Sequence, residues 1–310
     1  MPLADADARH CRQGRVFVSR ISKDQIKTEL RRLGLAEGDL VFVSSDLMRV
    51  GYFNKDRDTT MRDWVEILLT AVGPTGTIVV PSYSPSHIRF IQRSDFVFSK
   101  DSASDAGSLA TAFLSFADHA VRGAHPTSSC VAVGPLAQHI AGDHGVEDPA
   151  YEPYGRIIEQ GGQNLMLGTV DTKNCPMSFH YAQQVLGHTR THPLCGLLET
   201  RYRNEHGRIE KFVVREVGGC TRGVHQCWGH ILAKNGVSID WVGRSQSGLV
   251  DTKIAFDVLK RVLEENPGLV RCTNRDCISC YGRYRYNGAR VIPFYVRKPL
   301  SLLRKQLIGK

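Results

Sequence analysis

The stretch that decides the fold is Asp39-Leu40-Val41-Phe42-Val43-Ser44-Ser45. Its unbroken apolar run predicts a buried strand, and the two serines give that strand a polar end. A helix is predicted before it, because Ser22-Lys23-Asp24-Gln25 has the form of a capping box. Ile26, Leu30 and Leu33 then follow at helical spacing.

The same alternation continues along the chain. Apolar residues recur at helical spacing over 61–72, and the run Gly76-Thr77-Ile78-Val79-Val80-Pro81 predicts a second strand. That strand ends in the polar residues Ser82-Tyr83-Ser84. The succession of strand, helix and strand favours an α/β fold with a mixed, largely parallel sheet flanked by helices.

The remaining elements are predicted from the same periodicities and from turn residues. Helices are expected at 107–116, 135–140, 155–160, 177–186, 222–233 and 253–265, and strands at 131–134, 164–168 and 211–215. The pattern of the sequence changes near residue 199, but no flexible linker marks a domain boundary there. We therefore predict one domain over 1–310, with a C-terminal α+β subregion over 196–310.

The composition bounds the class of protein. The chain has 310 residues, 42% of them hydrophobic, which is enough for a sizeable core. Nine cysteines without a signal-peptide or transmembrane run predict a cytoplasmic protein with no membrane span.

The net charge of +9 is local. Residues 271–310 carry ten Lys or Arg and one acid, Asp276, whereas the other 270 residues carry 30 bases and 30 acids. A local basic surface favours a polyanionic partner such as a phosphorylated ligand, a nucleic acid or an acidic membrane face. No nucleic-acid motif is recognisable, so a nucleic-acid partner is not expected.

Polar side chains gather where strands end or begin. Ser44-Ser45-Asp46, Ser82-Tyr83-Ser84 and Gly168-Thr169-Val170-Asp171 each follow a predicted strand. In open α/β sheets ligands bind beyond the carboxyl ends of the strands. A loop before another strand, Arg122-Gly123-Ala124-His125-Pro126-Thr127-Ser128-Ser129-Cys130, adds an imidazole and hydroxyls stiffened by proline. His125 is therefore the candidate titratable group of a site at this edge.

A set of motifs occurs in a characteristic order: Val43-Ser44-Ser45-Asp46-Leu47, Ala71-Val72-Gly73-Pro74-Thr75-Gly76-Thr77, His125-Pro126 with Ser129, Ala132-Val133-Gly134-Pro135, Leu167-Gly168 and His180-Tyr181-Ala182-Gln183. As a set, over roughly residues 25–270, it resembles the aminoglycoside 3-N-acetyltransferase family. That family transfers acyl groups from coenzyme A to amines of amino sugars. The resemblance implies a single N-acyltransferase domain with an α/β fold, a cleft shared by coenzyme A and the amino sugar, and no metal.

The resemblance also implies roles for particular residues. The family's catalytic histidine falls on His125, and its glutamate falls on Gln183, which cannot take a proton. Either another acid, Asp46 or Asp171, orients His125, or Gln183 only donates and accepts hydrogen bonds. A second departure is Ser44-Ser45-Asp46, where the family has a histidine.

We accordingly predict three groups of site residues, all taken from these polar segments. The catalytic group is His125, Gln183 and Asp46, the coenzyme A contacts are Ser44, Ser45, Ser82 and Ser129, and the substrate contacts are His180, Asp171 and Tyr83.

The predicted reaction is direct attack of an amine on the thioester of acetyl-CoA or another acyl-CoA in a ternary complex. His125 would act as general base, because an amine is mostly ammonium near neutral pH and histidine titrates in that range. A ping-pong route would need a nucleophile, and Cys130 and Cys175 are better explained as small buried side chains.

The acceptor is predicted from charge. Aminoglycosides are polycations and call for an acidic cleft, whereas the basic C-terminus fits a nucleotide-linked amino sugar better. The alternatives are an aminoglycoside 3-N-acetyltransferase that gives antibiotic resistance, an inactive family member, and a polyanion-binding protein that uses residues 271–310.

Two C-terminal features remain. Cys272-x4-Cys277-x2-Cys280 contains a single C-x2-C pair, with Cys220, His225 and Cys227 upstream, and the missing second pair favours reduced thiols over zinc. The segment 298–308 places leucines on one face with basic residues around them. We expect it to pack on its own domain or on a second subunit, and we expect a homodimer.

Overall fold

The computed structural model describes residues 21–51, 53, 56–89, 94–170, 174–193, 198–218 and 220–297. The predicted site residue Asp171 and the C-terminal segment 298–308 lie outside the described residues. No helix within the described ranges is both long and apolar enough to cross a membrane.

The strands are β1 (Leu40–Ser45), β2 (Thr77–Tyr83), β3 (His87–Ile88), β4 (Val121–Arg122), β5 (Ser128–Val133), β6 (Gln163–Leu167), β7 (Leu198–Arg203), β8 (Ile209–Val213), β9 (Val237–Val242) and β10 (Ser245–Asp251). The α-helices are α1 (Lys23–Leu33), α2 (Leu47–Val50), α3 (Arg57–Val72), α4 (Ser108–Phe116), α5 (Glu152–Glu159), α6 (Ser178–Val185), α7 (His225–Leu232) and α8 (Thr252–Glu265). The predicted helix at 135–140 is instead a π-helical turn over Gln138–Gly142.

The main sheet has the order β4-β5-β2-β1-β6-β10-β9. Its mixed character and its flanking helices confirm the predicted fold class. One part of that prediction is wrong: only two pairings described for this sheet, β1 with β2 and β1 with β6, are parallel, and the other four are antiparallel. For β9 and β10 a short connection is the cause: Gly243 and Arg244 form a two-residue turn between them, with Gly243 at a φ of 58°. Such a turn joins only antiparallel strands.

The centre of the sheet is buried on both faces. Val41 and Val43 of β1 belong to a cluster with apolar residues of α1, α3 and α4. Phe42 points to the opposite cluster, which includes residues of α5. A third cluster joins β6 and β10 to α6, α7 and α8. Burial from both sides explains why β1 is an unbroken apolar run.

The helix starts follow the local sequence. Ser22 Oγ accepts a hydrogen bond from the Gln25 backbone N–H at 3.1 Å, which confirms the predicted cap of α1. Asp56 and Asp251 cap α3 and α8 in the same way. These caps fix where each helix begins relative to the strand beside it.

A second, smaller sheet is antiparallel and has the strand order β3-β7-β8. Phe212 of β8 reaches His125, with ring centroids 5.1 Å apart. The strand predicted at 211–215 is therefore present, shifted two residues toward the N-terminus. It supplies one wall of the region around His125.

Arg122 of β4 is a buried cation, only 3% exposed. Its guanidinium donates to the carbonyls of Lys100, Ser102 and Ser82 and to the hydroxyl of Ser129. It also lies 5.0 Å from the centre of the Phe98 ring. Burial lowers the Arg122 pKa to about 10, so the side chain stays charged near neutral pH. One side chain thus ties β2, β5 and the 100–102 turn together.

We predict that Arg122→Met lowers the free energy of unfolding by about 3 kcal/mol or more, because a largely buried network loses its cation and three carbonyls each lose a donor. Urea unfolding followed by circular dichroism measures the change. Arg208→Met is the matched control, since Arg208 is exposed on the β7–β8 hairpin and its loss should cost less than about 0.5 kcal/mol. Equal effects of the two substitutions would contradict the role given to Arg122.

Candidate active site

His125 lies in the connection between β4 and β5 and is 3% exposed. Its Nδ1 accepts backbone N–H groups from Ser128 at 3.0 Å and Thr127 at 3.3 Å. A nitrogen that accepts two N–H groups carries no proton, so the neutral ring carries its proton on Nε2. The loop therefore presents an Nε2–H donor rather than a lone pair.

Two aromatic neighbours enclose the ring of His125. The imidazole of His144 stacks on it, with centroids 4.8 Å apart and planes 8° from parallel. Phe212 meets it edge-on at 75°. Burial, and secondarily the neighbouring imidazole of His144, lowers the pKa of His125 to about 3. His125 is therefore neutral in this structure across the physiological range.

His144 is itself fully buried. Its Nε2 lies 3.1 Å from the carbonyl oxygen of Pro149 and donates to it, and Nδ1 has no partner among the described residues. Burial lowers the pKa of His144 to about 4. The stacked pair thus consists of two uncharged rings.

His125 faces a cavity of about 760 Å³ between β8, the 146–150 segment and the 190–193 segment. Its walls carry charges of both signs. The cationic side chains are Arg190, Lys211, Arg215 and Arg285, and the anionic ones are Glu147, Asp148 and Glu216. Such a cavity can bind a ligand that itself combines ammonium groups with polar or anionic groups.

Glu216 is a fixed acid of this cavity. Its carboxylate accepts from the Thr189 hydroxyl at 2.9 Å and from the Ala150 backbone N–H at 2.9 Å. Asp148 accepts from the Gly145 N–H at 2.7 Å. Both carboxylates are oriented by the protein before any ligand arrives.

A row of aromatic rings joins the His125 region to α6. Tyr83, which pairs with Ser128 across β2 and β5, lies 2.5 Å from Tyr154, oxygen to oxygen. The ring of Tyr154 packs 5.3 Å from that of Tyr151, and Tyr151 stacks 5.1 Å from His180. The structure thus brings the predicted substrate contacts Tyr83 and His180 into one row that begins beside His125.

His180 and Gln183 lie on the buried side of α6. Burial lowers the pKa of His180 to about 4, and the nearby Gln183 side chain opposes that shift. His180 Nε2 is 3.7 Å from the sulfur of Cys175. Gln183 is 2% exposed, and its Oε1 has no hydrogen-bond partner among the described residues.

Asp46 is placed elsewhere. It caps α2 and lies 3.2 Å from Arg49, and with Ser45 it lines a separate cavity of about 880 Å³. Ser44 accepts from the Asn164 amide at 3.0 Å. The structure does not bring Asp46 to His125. The Nδ1 atom of His125 accepts backbone N–H groups instead of facing a carboxylate.

Ser82 and Ser129 are fully buried at the centre of the Arg122 network. Ser129 Oγ donates to the Ser82 carbonyl at 2.7 Å and accepts from Arg122 at 3.2 Å. Both serines hold β2 and β5 together in this structure. Their contact with coenzyme A stays a prediction.

Sequence reasoning missed several residues of the region, namely His144, Tyr151, Tyr154, Phe212 and Glu216. Tyr151 and Tyr154 carry a usable signal, an aromatic pair at i, i+3 in a helix start. His144 and Glu216 carry none, because each reaches the region from a separate loop.

Comparisons with known proteins find relatives in sequence and in fold. A family model described as aminoglycoside 3-N-acetyltransferase matches residues 42–264. Aminoglycoside N(3)-acetyltransferase III of Salmonella sp is 31% identical over 179 residues, 53% of this chain and 60% of the relative. Aminoglycoside N(3)-acetyltransferase VIII of Streptomyces fradiae is 29% identical over 165 residues, 48% of this chain and 56% of the relative. The chain therefore matches less than two thirds of these relatives' length.

Solved structures share the fold. AAC-IIIb in a binary complex with CoASH superposes with a TM-score of 0.65 at 22% identity, covering 80% of this chain and 97% of that one. AAC-VIa bound to sisomicin gives a TM-score of 0.66 at 24% identity, covering 80% and 98%. YokD from Bacillus subtilis gives 0.68 at 20% identity, covering 81% and 96%.

The buried neutral histidines predict how stability depends on pH. Below the ordinary histidine pKa, His125, His144 and His180 bind protons in the unfolded chain but remain neutral in the folded protein. The free energy of unfolding therefore decreases as the pH falls from about 6.5 toward about 4. His125→Gln should reduce this slope by about 1 kcal/mol per pH unit. Urea unfolding at several pH values in this window measures the slope.

The control for this measurement is His206→Gln, since His206 is exposed on the β7–β8 hairpin. It should leave the slope unchanged. A wild-type slope that His125→Gln does not alter would show that His125 is not held neutral by burial.

Proposed function

The chain belongs to the aminoglycoside 3-N-acetyltransferase family, and from this membership we propose that it transfers an acetyl group from coenzyme A to an amine of an amino sugar. The observation that carries the proposal is the cavity in front of His125, with a neutral imidazole, oriented carboxylates and guanidinium groups on its walls. Transfer of an acyl group needs groups of these kinds, one to bind the ammonium and one to polarise the thioester.

The acceptor that these findings support first is an aminoglycoside. The relatives are aminoglycoside acetyltransferases by name, and Glu147, Asp148 and Glu216 offer carboxylates for its ammonium groups. A nucleotide-linked amino sugar is the second candidate. Four cationic side chains on the same walls favour it, because a diphosphate would pair with them.

His125 is proposed to act as a hydrogen-bond donor. Two backbone N–H groups contact Nδ1, so the proton lies on Nε2, which can stabilise the oxyanion that forms at the carbonyl oxygen when the amine attacks the thioester. A general-base role, predicted from the sequence, requires the opposite tautomer. Asp148 and Glu216 are the carboxylates of the cavity that can take up the proton of the ammonium.

Direct transfer in a ternary complex fits the thiols near the site. Cys130 is fully buried, and burial raises its pKa to about 12. Burial likewise raises the pKa of Cys175. Neither sulfur is a thiolate near neutral pH, so neither offers the nucleophile of a ping-pong route.

The phosphate-bearing end of coenzyme A is proposed to use the β1 edge, with the thioester end of the cofactor extending to the cavity in front of His125. Ser45 and Asp46 line the cavity of about 880 Å³, which has room for an extended cofactor arm. Arg57 and the start of α4 also line it, and both can meet phosphate oxygens. Ser44 stays a proposed contact at the same strand end.

We predict that His125→Ala lowers kcat by about 100-fold or more, as removal of an oxyanion donor does. His125→Gln should retain about tenfold more activity than His125→Ala, because the amide N–H still donates. Free thiol released from acetyl-CoA, followed with a chromogenic disulfide, measures both. Equal losses in the two variants would contradict the donor role and favour the general base.

The acceptor class is tested with the same assay. With an aminoglycoside as acceptor, Asp148→Asn should raise KM by about tenfold, whereas Arg215→Gln should change it less than about twofold. The reverse order, seen with a nucleotide amino sugar, would support the second candidate. No thiol release above background with either class would overturn the proposed activity and leave an inactive member or a polyanion-binding protein.

A further inference from the structure

Four cysteines converge at one point outside the cavity. The sulfur atoms of Cys220, Cys272, Cys277 and Cys280 all lie within 4.8 Å of one another. Three of them come from the segment after α8, and Cys220 comes from the segment that leads into α7. The fourth sulfur, which the sequence offers only as an isolated cysteine, is thus supplied by the fold.

The spacing suits one tetrahedral ion. Zn–S bonds of about 2.3 Å place the sulfurs of a tetrahedral site about 3.8 Å apart. The Cys272 and Cys280 sulfurs are 3.7 Å apart, which is also far longer than a disulfide bond. A cluster of several irons would hold its cysteines on separate metal atoms and so further from one another.

The surroundings are those of a sulfur-metal centre. The Cys272 backbone N–H points at the Cys280 sulfur at 3.4 Å, a bond that stabilises a thiolate. Cys272 and Cys280 are 7% and 4% exposed, whereas Cys220 and Cys277 are partly open. The buried Cys272 and Cys280 keep bulk water away from one side of the group, and the partly exposed Cys220 and Cys277 leave a path by which an ion can enter.

The backbone is built to bring the two ligand segments together. A side chain at Gly223 would meet the carbonyl oxygen of Val270 at 2.1 Å, so only glycine lets the turn after Cys220 pass the residues before Cys272. The contact between Gly223 and Val270 is a backbone feature and does not depend on where the sulfur atoms lie. It is thus a second, independent observation that the two cysteine-bearing segments lie close together.

We propose that Cys220, Cys272, Cys277 and Cys280 bind one Zn²⁺, a structural site that holds the 271–285 segment against Gly218 and Cys220. Thiolate sulfur in tetrahedral geometry selects zinc among the common cellular divalent ions. The four protons of the thiols leave as the ion binds.

The clamp holds part of the candidate site. Tyr284 donates its hydroxyl hydrogen to the Gly218 carbonyl, and the Arg285 N–H bonds to the Arg190 carbonyl at 2.9 Å. Gly218 in turn packs against Tyr151 and His180, since a side chain there would meet them at 2.6 and 3.2 Å. The zinc site therefore sets the position of Arg285 on the cavity wall and of Gly218 over the aromatic row.

The test measures metal, not activity. Protein purified under reducing conditions should contain about one Zn²⁺ per chain by elemental analysis. X-ray absorption at the zinc edge should show four sulfurs at about 2.3 Å. Co²⁺ exchanged into the site should give thiolate charge-transfer bands.

Variants locate the ion. Cys277→Ser removes a partly exposed ligand with little packing loss, and it should lower the zinc content by more than about fivefold. Cys227→Ala is the matched control, a buried cysteine of α7 outside the group, and it should keep full zinc. A chelator should lower Tm by at least about 5 °C in the wild type and leave Cys277→Ser unaffected.

Three outcomes would overturn the proposal. The first is a wild-type protein with four titratable thiols and no bound zinc. The second is iron or a disulfide at these cysteines. The third is a zinc content that Cys277→Ser leaves intact while another position loses it.

Discussion

The buried guanidinium of Arg122 is the interaction on which the site geometry depends. Its partners are carbonyl and hydroxyl oxygens from β2, β5 and the 100–102 turn. A charge balanced by dipoles from three segments tolerates little displacement of any of them, because each lost partner leaves a buried polar group unpaired. The loop over 123–127 leaves this fixed point and returns to it through Ser129. The position of His125 is therefore set from both ends of a five-residue loop.

The local sequence predicted most of what is local in the fold. β1, β2, α1 and α8 follow from apolar periodicity and caps, since each signal lies within the element itself. The direction of the edge strands could not be predicted in this way, because it depends on short connections rather than on strand composition. His125 was found because it lies in a polar stretch before a strand. Its partners His144 and Glu216 were not, because loops far apart in sequence bring them there.

The tautomer of His125 is set by the groups that contact its Nδ1 atom. A carboxylate at Nδ1 would keep a proton there and leave Nε2 as a base. Two backbone N–H groups at Nδ1 do the opposite and place the proton on Nε2. In such an arrangement no carboxylate is needed to orient the imidazole of His125. Gln183 lies apart from this contact, beside His180 on α6.

The positive charges of the C-terminal region repel one another, and the four cysteines offer a means of holding that region in place. The segment 271–290 carries five arginines and one acid, although Cys272, Cys280 and Tyr284 within it are buried. The repulsion between these like charges opposes a compact arrangement. A metal bound by the four thiolates, as proposed above, would provide free energy that offsets this repulsion, and it would act close to Gly218. The position of Arg285 on the cavity wall would then depend on metal coordination together with the packing of the buried Tyr284.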